Sequence, residues 1–194
     1  MQRALHGHYA FTGTGACLYA PGSSSSPPSP GNTTPNTDSN FDSSLQPINV
    51  SKAFSTSFAV EGIRTFKRDG TGTVTGTEMG IVVPPTPDGA IFPKFPPSAS
   101  SATFSYSFTY TFNNDGSFNT MVTGSVTGTF QAGPRSGQAF TVSNFPPLLG
   151  MASNNSSALT LATLVPTVET ITFSNGDVWP RICHRSRVLI RMGR

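Results

Sequence analysis

The chain has 194 residues and a mass of 20.4 kDa, with 11% charged residues and a formal net charge of +3. This length suits a single domain with a buried core, and so small a net charge gives no reason to predict a nucleic-acid partner. No apolar run approaches the roughly 18 residues of a transmembrane helix, so the sequence predicts no membrane-spanning helix.

The first predicted strand spans residues 5–19 and contains Cys17, whereas Cys183 lies in the last predicted strand. In a closed meander barrel the first and last strands are neighbours, so a Cys17–Cys183 disulfide is geometrically reasonable. The alternative is a pair of buried free thiols in a reducing compartment. The two cysteines make no zinc site on their own, and the sequence predicts no metal.

Two segments interrupt the strands. Residues 21–47 are almost entirely Ser, Pro, Asn and Gly, a composition that cannot bury enough apolar surface to offset the entropy of ordering. They predict a mobile loop. Residues 84–101 are rich in proline but also contain Ile91, Phe92 and Phe95, so this second loop is expected to pack over something such as a barrel mouth.

Strands two and three are predicted at 53–68 and 72–83, joined by a turn that contains Asp69-Gly70, a strong hairpin signal. In strand two Arg64 shares a face with apolar residues, and in strand three Glu78 does the same. If those faces line the barrel, Arg64 and Glu78 point inward at similar heights. This placement predicts a buried ion pair between them.

Strand four carries five aromatic residues separated by single Ser or Thr residues: Phe104, Tyr106, Phe108, Tyr110 and Phe112. Side chains alternate faces along a β-strand, so all five rings project from one side. A helix would scatter them around its axis. The stripe therefore predicts a strand whose aromatic face is inside the barrel.

Further strands are predicted at 117–131, 137–145, 157–164, 167–174 and 179–192. The alternation is broken by Gly-containing turns, and no helix signal appears. Sequential hairpins without crossovers favour an all-β, antiparallel up-and-down β-barrel of about eight strands, which also removes exposed sheet edges. We expect it to form one domain over residues 1–194.

Three segments, LHGHYAFTGTGACL, FAVEGIRTFKRDGTGTVTGTE and VETITFSNGDVWPRICHRSRVL, resemble uncharacterised, mostly exported bacterial β-proteins with repeated DGxGxVxGT hairpins. In architecture the chain resembles the calycin-type barrels, namely lipocalins and the allene oxide cyclase and dirigent barrels. The resemblance implies a calycin-like fold and binding of an apolar small molecule. The lipocalin G-x-W signature near the first strand is missing, since the only tryptophan is Trp179, so no catalytic residue is carried over.

The inward faces of these strands gather ionisable and phenolic side chains into a candidate catalytic site: Arg64, Glu78, Tyr106, Tyr110, Glu169 and His184. A carboxylate desolvated among aromatic rings has a raised pKa and can act as a general acid or base. A tyrosine or arginine beside it could polarise a carbonyl, and no cofactor is needed. The alternative is structural: the Arg64–Glu78 pair fills one barrel end, and His184 is a core histidine.

The last strand places Arg181, Arg185, Arg187 and Arg191 on the face opposite His184. That stripe is expected to be a solvated outer face, with its aliphatic stems covering neighbouring apolar surface. Binding of an anionic polymer or a membrane surface is the alternative. No aromatic residues interleave with these arginines, which argues against nucleic acid.

The sequence is compatible with three functions. The first is binding of a small apolar or aromatic ligand inside a barrel, with contacts from Phe58, Phe104, Phe108, Phe112 and Trp179. The second is a cofactor-independent cyclase, isomerase or lyase, and the third is a structural protein of the cell exterior without a ligand. The charge-poor, Ser/Thr/Gly-rich composition favours a secreted or periplasmic protein whose leader is absent from this chain, with a cytoplasmic location as the alternative.

Overall fold

A computed structural model of the chain describes residues 5–20, 40–48, 50, 53–83 and 98–193. These residues form ten β-strands and no α-helix, which confirms the predicted all-β class. The strands are β1 Gly7–Tyr19, β2 Phe54–Phe66, β3 Thr71–Val83, β4 Ser98–Phe112, β5 Ser117–Ala132, β6 Ala139–Ser143, β7 Leu148–Ala152, β8 Ala158–Ala162, β9 Val168–Phe173 and β10 Val178–Arg191. Among the described residues, no helix has the length and apolar character needed to cross a membrane.

The predicted loops at 21–47 and 84–101 lie mostly outside the described residues. Residues 98–101 form the beginning of β4, so this part of the second predicted loop is strand. In the first segment, Phe41 is buried and bridges to Pro47, and the Asn40 side chain donates to the carbonyl oxygen of Ala20 at 2.8 Å. Residues 40–47 are therefore tied to the end of β1.

The strands form one antiparallel sheet that closes through the pairing of β1 with β10. Strands β1 to β5 pair in sequence. The long β5 then pairs with two short strands, with β6 through residues 126–129 and with β7 through residues 117–120. Strand β6 pairs with β9, β7 pairs with β8, and both β8 and β9 pair with β10.

The ring therefore contains eight strands at either end, because two of its eight positions are each built from two short strands. This confirms the predicted antiparallel, barrel-like closure with about eight strands. The sequence missed β7, and pairing is not sequential beyond β5, since β6 skips to β9. Five-residue strands are too short to run alongside the whole of β5, so two of them share its edge.

Residues of the aromatic stripe on β4 alternate with exposed Ser and Thr, and Phe104, Tyr106, Phe108 and Tyr110 are buried. The predicted inward orientation of the stripe is thus confirmed. One half of the barrel is filled by Phe108, Tyr110 and other rings, for example by the edge-to-face pair Phe66–Phe108, whose centroids lie 5.3 Å apart. Each fully buried ring of this kind contributes about 1.5–3 kcal/mol through removal of apolar surface from water.

Glycines make room for these rings. At six places a phenylalanine side chain lies over a glycine on a neighbouring strand, so that a Cβ on the glycine would clash with the ring or touch it closely. The pairs are Phe58–Gly15, Phe11–Gly62, Phe108–Gly72, Phe104–Gly76, Phe140–Gly128 and Phe118–Gly150. Glycine in a strand interior has this use, since it permits close approach of a large neighbour.

The predicted hairpin at Asp69-Gly70 is confirmed. Gly70 has a φ of 81°, which glycine adopts at no steric cost, and the Asp69 carboxylate accepts a hydrogen bond from the backbone N–H of Thr71 at 3.0 Å. The Asp115-Gly116 turn between β4 and β5 repeats this arrangement, with Ser117 as the donor at 2.9 Å.

The predicted Cys17–Cys183 disulfide is also confirmed. The two cysteines are direct partners in the β1–β10 pairing, and both are buried. The bridge links positions 166 residues apart and thereby fastens the two strands that close the ring. In the chain-entropy model, a cross-link over so long a loop stabilises the fold by about 4–5 kcal/mol.

Candidate functional site

The other half of the barrel contains a cavity of about 370 Å³. Tyr19, Phe54, Val82 and Ser98 line it, so it lies at the end where β1 and β3 finish and β2 and β4 begin. Its wall combines aromatic rings with arginine side chains, because the inward faces of β2, β4 and β10 converge there.

Stacked aromatic rings surround the mouth of the cavity. Tyr19 stacks on Phe54 with a centroid distance of 4.6 Å, and Trp179 packs edge-on against Phe54 at 5.5 Å. The Arg135 guanidinium lies 4.2 Å from the Trp179 ring centroid and pairs with the Asp177 carboxylate at 3.2 Å. Cation–π contact and ion pairing together hold this arginine at the rim.

Deeper in the barrel, Glu169 on β9 is fully buried and accepts hydrogen bonds from two arginines on β10. Arg181 Nε donates to its Oε1 at 2.6 Å, and Arg185 Nη2 donates to the same oxygen. Arg181 also donates to the Tyr19 hydroxyl at 2.6 Å. Burial by itself raises the pKa of Glu169, but the guanidinium groups of Arg185 and Arg181 outweigh it and hold the pKa below its ordinary value.

The disulfide lies against this carboxylate. Cys183 Sγ is 3.0 Å from Glu169 Oε1, but a disulfide sulfur carries no proton, so this is a contact and not a hydrogen bond. Cys17, Glu169 and Cys183 bring three potential ligand atoms together, yet both sulfurs are bonded to each other and no thiolate is left to bind a metal.

Tyr106 and Arg187 meet at the inner part of the cavity wall. Arg187 Nη1 donates to the Tyr106 hydroxyl at 2.8 Å. Burial raises the pKa of Tyr106, but the positive charges of Arg187 and Arg64 outweigh this effect, so that the pKa lies below its ordinary value. The pair thus presents a polarised phenol beside a cation.

Arg64 lies next to this pair but does not line the cavity. Its guanidinium carbon is 3.9 Å from the centroid of the Phe108 ring, and none of its three side-chain nitrogens has a hydrogen-bond partner among the described residues. Burial lowers the pKa of Arg64 to about 10; Tyr106 opposes this shift and the charge of Arg187 adds to it.

Glu78 lines the cavity and is half-buried. The described residues give it no ion pair. Burial raises the pKa of Glu78, and the positive charges of Arg181, Arg185 and Arg187 offset part of this rise. Its carboxyl group is therefore a proton-binding group that faces open space.

The predicted ion pair between Arg64 and Glu78 is wrong. The β2–β3 register pairs Arg64 with Val74 and Glu78 with Val60, so the two charged residues lie four positions apart, or about 13 Å along the strands. They share the inward face, as predicted, but not the same height in the barrel.

The predicted orientation of β10 is also wrong. His184 is exposed on the outer face, whereas Arg181, Arg185 and Arg187 are buried inside. The physical reason is the disulfide: Cys183 must face Cys17 inside the ring, and residues an even number of positions from it share that face. The sequence contained a signal for this orientation, since Cys17 alternates in phase with the aromatic residues Tyr9, Phe11 and Tyr19 of the same strand.

Of the predicted site residues, the cavity brings together Glu78, Tyr106, Phe58, Phe104 and Trp179. The others lie elsewhere.

Tyr110 and Phe108 belong to the filled half, where the Tyr110 hydroxyl donates to the Lys67 carbonyl at 2.7 Å. Phe112 packs near Phe118, with ring centroids 6.2 Å apart. Glu169 lies behind the wall, where it holds Arg181 and Arg185. The cavity-lining residues that the sequence missed include all four of its arginines, Arg135, Arg181, Arg185 and Arg187, and further aromatic residues such as Tyr19 and Phe54.

No protein-family model, curated protein or solved structure matches this chain. Fold and site define a closed antiparallel β-sheet with one filled half and one half that surrounds a cavity lined by aromatic and arginine side chains.

Proposed function

We propose that this protein binds a small apolar or aromatic molecule inside the open half of its barrel. The observation that carries the proposal is the cavity of about 370 Å³, which falls in the range of roughly 300–1,000 Å³ typical of small-molecule sites. The opposite half of the same barrel is closely filled by rings, so the cavity is confined to one half of the barrel.

Aromatic side chains supply the contact surface in this proposal. Phe58, Phe104 and Trp179 line the cavity, and neighbouring rings hold them in place, as in the Phe54–Trp179 pair. A wall fixed in this way costs little ordering entropy on binding, so the burial of ligand surface, at about 25 cal/mol per Å², has to offset mainly the loss of the ligand's own freedom of motion. The resemblance to calycin-type barrels supports the same function.

The proposal is tested with N-phenyl-1-naphthylamine, a neutral aromatic probe that fluoresces in apolar surroundings. Trp179 is the only tryptophan and lines the cavity, so energy transfer from its indole to the probe reports binding at this place. Saturable binding of one probe molecule per chain is expected.

Two variants on β3 form a matched pair for this experiment. Gly80 faces the cavity, and a Cβ there would meet nothing closer than 3.6 Å, so Gly80→Phe is expected to fill the cavity and abolish binding. Met79 points outward and is 67% exposed, so Met79→Phe is expected to bind like wild type. No saturable binding, or equal binding by both variants, would overturn the proposal.

A second candidate function is proton-transfer catalysis without a cofactor, of the cyclase, isomerase or lyase type. Glu78 favours it, because its carboxyl group faces the cavity and burial raises its pKa toward the range of a general base. Glu78 would take a proton from the carbon next to a carbonyl, and Tyr106 or Arg187 would stabilise the resulting enolate.

Uptake of deuterium into the methyl group of 2-acetonaphthone, followed by NMR in D₂O, tests this candidate. Faster exchange with wild type than with Glu78→Gln is expected for a catalytic carboxylate. Equal exchange rates would leave ligand binding without catalysis.

We propose an exported location for the protein. A disulfide is compatible with an oxidising compartment, and the charge-poor composition supports the same location. Fractionation of the source cells, with an antibody against this chain, tests the location; recovery in the reducing cytoplasm would contradict it.

A further inference from the structure

We infer that the ligand of this cavity is an amphipathic monoanion whose carboxylate is bound by Arg185 and Arg187 and whose apolar or aromatic body points to the mouth. The inference rests on the proposed binding function and defines the chemical class of its ligand. It follows from the charges inside the barrel, the nitrogens that lack partners and the direction of β10.

Positive charge exceeds negative charge inside the described part of the barrel. Five arginines lie inside the barrel or line its cavity, against three acidic residues: the cations are Arg64, Arg135, Arg181, Arg185 and Arg187, and the acids are Glu78, Glu169 and Asp177, the last of which is paired with Arg135 at the rim. A guanidinium group removed from water without a counter-charge is costly, so an interior of this kind favours the entry of an anion.

Specific nitrogen atoms are left without partners. Arg185 Nη1 and Arg187 Nε have no hydrogen-bond partner among the described residues, and both side chains line the cavity although each is more than nine-tenths buried. Glu169 Oε1 already accepts from two arginines, and its Oε2, which is also buried and without a partner, accepts from neither of these two nitrogens. A carboxylate in the cavity would supply the missing acceptors, because its two oxygens match the planar donor fork of arginine.

The direction of β10 sets the orientation of the ligand. Trp179 lies near the beginning of the strand at the cavity mouth, and Arg185 and Arg187 follow six and eight residues further into the barrel. The anionic group therefore lies deep, and the apolar body lies among the mouth rings. Glu78 faces the same cavity and opposes a second negative charge, which favours a monoanion over a phosphate ester.

The test compares three probes that share one ring system: 2-naphthoate, the neutral 2-naphthamide and 2-naphthyl phosphate. Their binding is measured through the Trp179 fluorescence and by calorimetry at neutral pH. We expect 2-naphthoate to bind at least about tenfold more tightly than 2-naphthamide, a ratio that corresponds to about 1.4 kcal/mol. Tighter binding of the phosphate than of the carboxylate would overturn the assignment to a monoanion.

Arg187→Met is expected to remove the preference for naphthoate, and Arg187→Lys to retain part of it. Arg68→Met is the matched control, because it removes the same charge from an exposed turn outside the cavity and should keep the preference. The wild-type comparison stands without any variant, so a folding defect in Arg187→Met leaves the inference testable. Equal affinity for naphthoate and naphthamide overturns the inference alone, whereas failure of N-phenyl-1-naphthylamine to bind overturns the proposed function itself.

Discussion

The guanidinium carbon of Arg64 lies 3.9 Å from the centroid of the Phe108 ring, so an arginine that is only 1% exposed is held by an aromatic face and not by a carboxylate. A desolvated contact of this kind is worth about 2 kcal/mol. Loss of hydration at three unpartnered nitrogens works against it.

Arg64→Met is expected to raise the free energy of unfolding by about 1–3 kcal/mol, because an apolar chain of similar length replaces an unpaired buried charge. Arg64→Ala is expected to lower it through the cavity that it leaves. Urea denaturation at neutral pH measures both. Equal destabilisation by the two variants would show that the cation–π contact outweighs the cost of desolvation.

The difference in the free energy of unfolding between Arg64→Met and wild type is expected to depend on pH. Burial lowers the pKa of Arg64 in the folded state to about 10, below its ordinary value, so the unfolded chain binds more protons between the folded-state and the unfolded-state pKa. The contribution of Arg64 to stability therefore rises with pH in this window. The excess in the free energy of unfolding of Arg64→Met over wild type should therefore shrink above pH 10, as measured by urea denaturation. A constant excess would contradict the burial of a charged guanidinium.

Glu169→Gln is expected to destabilise the protein by about 3–5 kcal/mol, since it leaves Arg181 and Arg185 without their shared counter-charge. The folded-state pKa of Glu169 is lowered, so its stabilisation is present above the unfolded pKa and is lost as pH falls through the folded value. Thermal unfolding of both proteins should give midpoints that converge in acid. A neutral effect at pH 7 would mean that the cluster does not depend on its carboxylate.

Glu78→Gln is expected to have the opposite effect. The folded-state pKa of Glu78 is raised, so ionisation of this group costs stability as pH rises from the unfolded to the folded value. The variant should therefore be more stable than wild type at neutral pH and equal to it in acid. Denaturant titrations at several pH values measure the difference, and a less stable variant at neutral pH would indicate that Glu78 has a stabilising cationic partner.

Gly72→Ala is expected to lower the free energy of unfolding by about 1–3 kcal/mol, because the new Cβ would lie 2.2 Å from Phe108 Cζ and 2.4 Å from the Thr65 carbonyl oxygen. Gly80→Ala is the control on the same strand and face, where the nearest atom is 3.6 Å away. Thermal unfolding should separate the two variants. Equal midpoints would show that the Phe108 ring moves aside without cost.

Much of the fold follows from local sequence. The two-residue alternation of Phe104, Tyr106 and Phe108 determines a strand with one aromatic face, because successive side chains of a strand point in opposite directions. Asp69-Gly70 determines its turn in the same local way, through a side-chain acceptor and a residue that accepts positive φ. The sequential hairpins predicted the closure of the ring, and the closure placed Cys17 and Cys183 on neighbouring strands, where a disulfide could form.

The chemistry of the interior was decided by tertiary structure. In β10 the apolar residues Val188 and Ile190 are 49% and 55% exposed, while Arg181, Arg185 and Arg187 point inward, so at these positions the usual placement of apolar residues inside and charged residues outside is reversed. The inward arginines find their partners on other strands, such as Glu169 on β9 and Tyr106 on β4, the latter 81 residues from Arg187 in sequence. Alternation along one strand defines two faces but not which of them is inside, because that choice depends on the groups that the other strands place opposite it.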